Sequence, residues 1–174
     1  MRALVVFESM FGNTRQIAEA VADGLSGAVP TDLVEVSRAP AQIPGDVELV
    51  VVGGPTHAFG MTRPGTRQDA ARQASGPLVS GGTGIREWLE QLTPASGRIG
   101  AAAFDTKIRK PSLPGSAAKA AERRLRRCGF RMLEPARTFW VRGTQGPLYD
   151  GEVERARRWA AGLAAELTPR QSAR

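Results

Sequence analysis

The sequence predicts a doubly wound α/β fold, a five-stranded parallel sheet between two layers of helices (α/β/α). Short apolar runs at 3–7, 47–52 and 99–104 have the continuous hydrophobicity of strands that are buried on both faces. Segments with helical period alternate with these runs, as parallel strands require for their crossovers. The length of 174 residues is that of one domain with a single core.

Hydrophobic period also predicts each element of the first half. A helix from about Thr14 to Leu25 follows the first strand and places Ile17 and Val21 on its buried face. The alternating stretch from Asp32 to Ser37 is typical of an edge strand. The Pro- and Gly-containing stretch from Ala39 to Gly45 is a loop, and Val47 to Val52 is the second buried strand.

A long excursion follows, from Ala58 to Thr83, in which Thr66 to Gln73 could form a short helix. Segments of this length inside a compact domain are usually functional or mobile. Two interpretations stay open: a lid beside a site, or a plain surface insertion.

The second half continues the alternation. The spacing of Ile85, Trp88, Leu89 and Leu92 predicts a helix with one buried side, and Trp88 is a core residue. The remaining predictions, in chain order, are a strand from Ile99 to Phe104, a loop from Asp105 to Pro114, a helix from Gly115 to Cys128 closed by Gly129, a strand signal from Phe130 to Val141 that Pro135 interrupts and that is strongest from Thr138, and a helix from Glu152 to Leu167. We expect one domain over residues 1–168 and a disordered tail over 169–174.

Composition narrows the function classes. The 24 Lys and Arg exceed the 17 Asp and Glu, a formal charge of +7 that suggests acidic partners or solubility. One cysteine and one histidine make a zinc or iron–sulfur site improbable, so no metal is expected. No apolar run approaches 18 residues and no leader pattern precedes the first strand, so we expect a soluble cytoplasmic protein. The arginines of 123–127 lack interleaved aromatics and favour a solvated helix face over a nucleic-acid patch.

The turn between the first strand and the first helix is a candidate phosphate cradle. Backbone N–H groups at a helix start are unpaired and attract anions, and the hydroxyls of Ser9 and Thr14 can add donors. Gly12 would let the backbone come close to a ligand. The alternative is an ordinary βα turn with Ser9 or Asn13 as the N-cap.

Three motifs carry a family resemblance. The run from Ser9 to Thr14, Ser-Met-Phe-Gly-Asn-Thr, is similar to the first FMN loop of flavodoxins, although Phe11 departs slightly from the usual pattern. The stretch from Val50 to His57 resembles the strand and second flavin loop, and Ala103 to Thr106 resembles the third. The resemblance implies the strand order 2-1-3-4-5, with FMN at the switch between strands 1 and 3, for which flavodoxin is the standard example.

The same resemblance implies a role for each matching residue. The first loop would hold the FMN phosphate, the second would contact one side of the isoalloxazine ring, and the third the other side. His57 is either a flavin-edge hydrogen-bond donor and possible proton donor, or a loop residue satisfied by backbone. The implied set is Ser9, Met10, Phe11, Gly12, Asn13, Thr14, Pro55, Thr56, His57, Ala58, Phe59, Gly60, Phe104, Asp105, Thr106 and Lys107.

Two features depart from the family. The third loop lacks the tyrosine that commonly stacks on the flavin, and the positive net charge contrasts with the acidic surface of typical flavodoxins. The sequence therefore predicts an FMN-binding electron carrier whose redox partner protein has an acidic docking surface, with no nucleic acid and no membrane as partners. Two alternatives stay open: a flavodoxin-like quinone or other small-molecule reductase with His57 as proton donor, and a flavin-free binding module. The sequence has no Gly-x-Gly-x-x-Gly turn after the first strand and no Gly-Lys-Ser/Thr ending. It therefore supports neither a classical dinucleotide-binding fold nor a P-loop enzyme.

Overall fold

The computed structural model describes residues 1–95 and 98–167. These residues form one sheet with helices on both faces, so the predicted fold class is confirmed. The predicted tail at 169–174 lies outside the described residues. In chain order the elements are β1 (Arg2–Phe7), α1 (Asn13–Ser26), β2 (Thr31–Glu35), a 3₁₀ turn (Val36–Arg38), β3 (Val47–Pro55), α2 (Pro64–Gln73), α3 (Ile85–Gln91), β4 (Gly100–Ile108), α4 (Ala117–Arg127), β5 (Arg131–Met132), β6 (Arg137–Val141) and α5 (Glu152–Leu167).

All strand pairings are parallel, in the order β2-β1-β3-β4-β5, with β6 also paired to β4. This is the order 2-1-3-4-5 that the resemblance implied. The fifth position holds two short strands because Pro135, which cannot donate to a ladder, lies between them. The count of five strands is therefore corrected to six strands in five positions.

Several boundaries differ from the sequence prediction, and β3, for example, ends at Pro55 instead of Val52. β2 ends at Glu35, whose side chain caps the 3₁₀ turn that follows, instead of continuing to Ser37. β4 runs four residues beyond Phe104, because β3 and β6 pair with it on either side as far as Thr106 and Ile108. The segment predicted as a loop from Asp105 therefore begins as strand.

Successive strand residues face opposite cores. On one face, Val5 and Phe104 pack with α1 and α5, and the Phe104, Phe139 and Trp159 rings meet edge to face with centroids 5.9–6.2 Å apart. On the other face, Val6 and Val52 pack with α3 and α4, where Trp88 is buried as predicted. The two cores hold the sheet in place. Because the parallel strands all end at the same edge of the sheet, the loops that follow them come together there and form the site.

Candidate functional site

The turn after β1 is shaped by Gly12, which has a left-handed backbone with φ of 98°. It caps α1 without a side-chain hydrogen bond, so neither Ser9 nor Asn13 is the N-cap. The first intrahelical bond runs from Gln16 N–H to Gly12 O, at 3.0 Å, and the N–H groups of the first turn precede it. No acidic residue stands in that turn, and a Cβ at Gly12 would meet nothing within 4 Å. The helix start is therefore open to an anion.

Hydrogen bonds of three hydroxyl groups stabilise this cradle. The buried Ser9 hydroxyl accepts from Gly12 N–H at 3.1 Å, and the hydroxyl oxygens of Thr14 and Thr106 are 2.7 Å apart. The Ser9 hydroxyl and one of the two threonine hydroxyls each keep a hydrogen that can be donated to a ligand, since the other threonine donates within the pair. The contact between Thr14 and Thr106 joins the first turn of α1 to the end of β4.

The excursion from 58 to 83 lies against the outer side of the cradle. Ser80 N–H donates to Ser9 O at 2.7 Å, Val79 N–H donates to Met10 O at 3.1 Å, and Ser9 N–H donates to the Ser80 hydroxyl at 3.0 Å. Its helix, α2, begins at Pro64, two residues before the predicted start. The excursion therefore supports the backbone of the cradle loop, although none of its residues is among those that line the cleft.

A buried polar network anchors the excursion to the end of β1. Glu8 is 1% exposed, and its carboxylate accepts from Ile85 N–H at 2.8 Å and from the Thr62 hydroxyl. Arg67 donates to Thr62 at 2.8 Å and forms an ion pair with Glu87. Arg67 therefore faces inward and not toward a partner.

The pKa values of two carboxyl groups in this network are shifted in opposite directions. Burial raises the pKa of Glu8 above its usual value, although Thr62, Ile85 N–H and Arg67 oppose the shift. Partial burial also opposes ionisation of Glu87, but the hydrogen bond and charge of Arg67 outweigh it and lower the pKa of that carboxyl. Sequence patterns did not reveal this network, because its members come from four separate segments.

The second loop forms a tight hairpin closed by hydrogen bonds between His57 and Gly60, at 2.8 and 3.0 Å. Its central residues, Ala58 and Phe59, have φ of 44° and 73°, the left-handed region that such a turn requires and that side chains disfavour. His57 faces the cleft, and burial, together with the charge of Arg67, lowers its pKa. The imidazole is therefore neutral near pH 7. Phe59 points outward and is 58% exposed.

The end of β4 divides the predicted third-loop residues between two faces. Phe104 is buried in the core that contains Phe139. Asp105 is fully buried toward α4, where one carboxylate oxygen accepts from the hydroxyls of Thr56 and Ser116, at 2.8 and 2.6 Å, and from Ala118 N–H. Both side chains are therefore committed to packing and to capping α4.

A single cleft brings most of the predicted residues together. It includes ten of the sixteen, and Gly12, Ala58, Phe59, Gly60, Phe104 and Asp105 are outside its lining. Sequence analysis missed three lining residues, Ile108, Val141 and Thr144. The signal for Thr144 was available, since it stands in a glycine-containing loop after a strand that ends at the same edge. That loop touches the cradle: a Cβ at Gly146 would come within 2.4 Å of Asn13 Oδ1.

Known proteins resemble this chain in part of its sequence and in fold. The flavodoxin family model matches residues 5–76, which include the cradle, β3 and the hairpin of His57. The fold is similar to that of oxidised flavodoxin 1 from Bacillus cereus, with a TM-score of 0.70, 17% identity and coverage of 97% of this chain and 100% of that one. The chain has a flavodoxin-like fold.

Further solved structures share the fold of this flavodoxin-like chain. A flavodoxin from Streptococcus pneumoniae TIGR4 has a TM-score of 0.67 at 20% identity, over 96% of this chain and 100% of that one. A flavodoxin from the domain Archaea has a TM-score of 0.64 at 19% identity, over 95% and 98%. No curated protein matches the chain in sequence. Among the described helices, none has the length and apolarity needed to span a membrane.

The residues of the cleft fit FMN in their chemistry. An acid-free helix start and an open space beside Gly12 suit a phosphate, and no lysine is needed where backbone N–H groups converge. The cavity volume of the cleft is about 60 Å³, which admits a group of phosphate size. A ring system has to lie toward the open mouth, between Pro55–His57 and Thr106–Ile108.

Proposed function

We propose that this flavodoxin-like protein binds FMN and carries electrons between redox partners. The open, left-handed Gly12 cradle at the start of α1 is the observation that carries the proposal, because it combines a helix dipole, free N–H groups and no competing carboxylate. When bound, FMN supplies the redox chemistry, and the protein supplies position and electrostatics.

The cleft residues divide this task among them. In the proposed complex the backbone from Met10 to Thr14 binds the phosphate, and the Thr14 hydroxyl donates to it while Thr106 holds that hydroxyl in place. Pro55, Thr56 and His57 form one wall for the ring, and Thr106 and Lys107 form the other. The neutral His57 supports a hydrogen-bonding role at the ring edge better than delivery of a proton from an imidazolium.

An acidic redox partner remains part of the proposal. Phe59 and Leu113 are exposed apolar side chains, at 58% and 47%, on the two loops beside the cleft. The cations Arg63, Arg109 and Lys110 are exposed on the same two loops. An apolar centre with a positive rim suits a partner with the opposite charge, and association with it should slow as salt is raised.

Reconstitution tests the proposal directly. FMN-free protein is titrated with FMN and with riboflavin while flavin absorbance and fluorescence are recorded. We expect saturable binding of FMN that is much tighter than that of riboflavin, because only FMN carries the phosphate. Protein that stays colourless would instead support the flavin-free binding module.

A reductase is the second candidate, because the cleft holds a half-buried histidine and the excursion from 58 to 83 is hydrogen-bonded to the loop that forms the cradle. Steady oxidation of NAD(P)H by the FMN-loaded protein with a quinone acceptor would favour the enzyme. Turnover only in the presence of a protein partner would favour the carrier.

A further inference from the structure

Two arginines and a tyrosine form a cluster at the rim of the cleft, and of the three only Arg109 has a role above, as one cation of the positive rim. Arg109 and Arg142 directly follow Ile108 and Val141, which are paired in the register of β4 and β6 and both line the cleft. The two arginines therefore leave the sheet side by side, at the edge where the proposed flavin lies.

The ring of Tyr149 holds both guanidinium groups. Their central carbons lie 5.6 and 4.5 Å from the ring centroid, so they are within about 10 Å of each other. A guanidinium that stacks through its face keeps its edge N–H groups available for an anion. The two charges are thus oriented by a neutral platform.

The position of the tyrosine is fixed by the loop that follows β6. Tyr149 N–H donates to Trp140 O at 3.0 Å, and Arg142 N–H donates to Pro147 O at 2.9 Å. Leu148, which is buried, forms an isolated bridge with Val141. These contacts hold residues 147–149 against the end of β6, and they fix the position of the tyrosine.

No internal acid neutralises this pair within the described ranges, 1–95 and 98–167, where neither guanidinium has a carboxylate within 4 Å. Glu152 feels the charge of Arg109, but its oxygens accept from Arg155 and from Trp140 N–H. Asp150 is exposed beside the tyrosine. Two adjacent like charges without an acid between them favour an external anion.

We propose that Arg109, Arg142 and Tyr149 form a second anion site, which takes the phosphate or diphosphate group of a small-molecule redox substrate at the mouth of the cleft. Because both guanidiniums stack on one ring, a ligand with two linked anionic groups can engage both, each guanidinium binding one group through a planar pair of N–H donors. That the ligand is a small-molecule redox substrate rests on the reductase, the second candidate under the proposed function, whereas anion binding at this rim does not.

The test uses FMN-loaded protein, in which the cradle is occupied, and calorimetric titration with inorganic pyrophosphate and with ADP. We expect Arg142→Gln to weaken both by about tenfold or more, since one of two charged donors is lost. Tyr149→Leu, which keeps every charge but removes the platform, should weaken them to a similar degree. Tyr149→Phe should bind as the wild type does, and FMN affinity should be unchanged in all variants.

The matched control is Arg123→Gln, which removes an exposed arginine on α4. Equal losses for Arg123→Gln and Arg142→Gln would overturn the proposal, because the anion would then respond only to the net positive field. Absence of pyrophosphate binding to the wild type, with binding of a hexaglutamate peptide, would also overturn it and make the cluster a protein-docking surface.

Failure of FMN binding is a separate outcome. In that case the same titrations are run on the FMN-free protein with Thr14→Val as an additional variant. The rim site predicts that Arg142→Gln weakens pyrophosphate binding and that Thr14→Val does not. The reverse result would place the anion in the cradle and overturn the second site.

Discussion

The hydroxyl oxygens of Thr14 and Thr106 lie 2.7 Å apart, one at the start of α1 and the other near the end of β4. Both side chains are buried, at 2% and 5% exposure, so water does not replace this contact when it is removed. The proposed phosphate site is therefore coupled to the wall that would face the flavin ring.

Thr14→Val separates phosphate binding from this coupling. It removes a proposed donor to a charged group, so FMN affinity should fall by about 1.5 to 3 kcal/mol while riboflavin affinity changes little. Thr106→Val removes the same contact without removing the donor and is the matched control. Calorimetry that finds equal losses of FMN affinity for both variants would mean that the hydroxyl pair, and not a bond to phosphate, is responsible.

Gly12→Ala should destabilise the protein by about 1 to 2 kcal/mol, because φ is 98° at this residue and a Cβ disfavours that region. FMN binding should also weaken, since the added methyl group enters the open space of the cradle. Gly27→Ala is the control: its φ is −67° and a Cβ there meets nothing within 4 Å. Urea unfolding should show no comparable loss for Gly27→Ala, and similar losses for both variants would contradict the interpretation.

Phe59→Gly should stabilise the protein by about 0.5 to 1 kcal/mol. The phenylalanine has φ of 73° and is 58% exposed, so glycine relieves backbone strain with little loss of packing. Leu113→Gly, at an exposed residue whose φ is not positive, should give no such gain. Thermal and urea unfolding compare the two, and a clear loss of stability in Phe59→Gly would show that its ring contributes to packing.

The carboxyl groups of Glu8 and Glu152 should give opposite pH dependences of stability. Burial raises the folded-state pKa of Glu8, so the native state binds this proton more tightly than the unfolded state does. The advantage of the wild type over Glu8→Gln should therefore be largest at acid pH and fall as the pH rises from the unfolded value through the raised folded value.

For Glu152 the pH dependence of stability has the opposite sign. Burial opposes its ionisation, but the hydrogen bond and charge of Arg155 and the N–H of Trp140 lower its folded-state pKa. The advantage of the wild type over Glu152→Gln should be complete above the unfolded value and should fall as the pH drops through the folded one. Urea unfolding from about pH 3 to 8 measures both differences, and slopes of the same sign would refute the assignment.

Local pattern was sufficient for the elements and for their approximate ends. The apolar run of β1, the period of α1 and the glycine that follows α4 each report burial or backbone conformation within a few residues, and Gly129 does have a left-handed φ of 88°. The first-loop motif was likewise readable, because its glycine and small polar residues are consecutive.

Contacts between distant segments decided the rest. Asp105 to Ile108 are strand because β6, some thirty residues later, pairs with them, and no local period could indicate this. Arg67 belongs to a segment that is mostly polar, yet its side chain is largely buried against Thr62 and Glu87. Periodicity cannot tell a solvated arginine from one that meets an acid of another helix.

The sequence by itself therefore determined the alternation of strands and helices and the position of the cradle, since both depend on neighbours along the chain. Only the tertiary structure decided how the cradle is supported and what lines its rim. Ser80 meets Ser9 across 71 residues, and Tyr149 meets Arg109 across α4, β5, β6 and the loops that join them. Such pairs are set by the packing of the sheet edge, where the free energy of burial and hydrogen bonding is shared among residues that the chain keeps far apart.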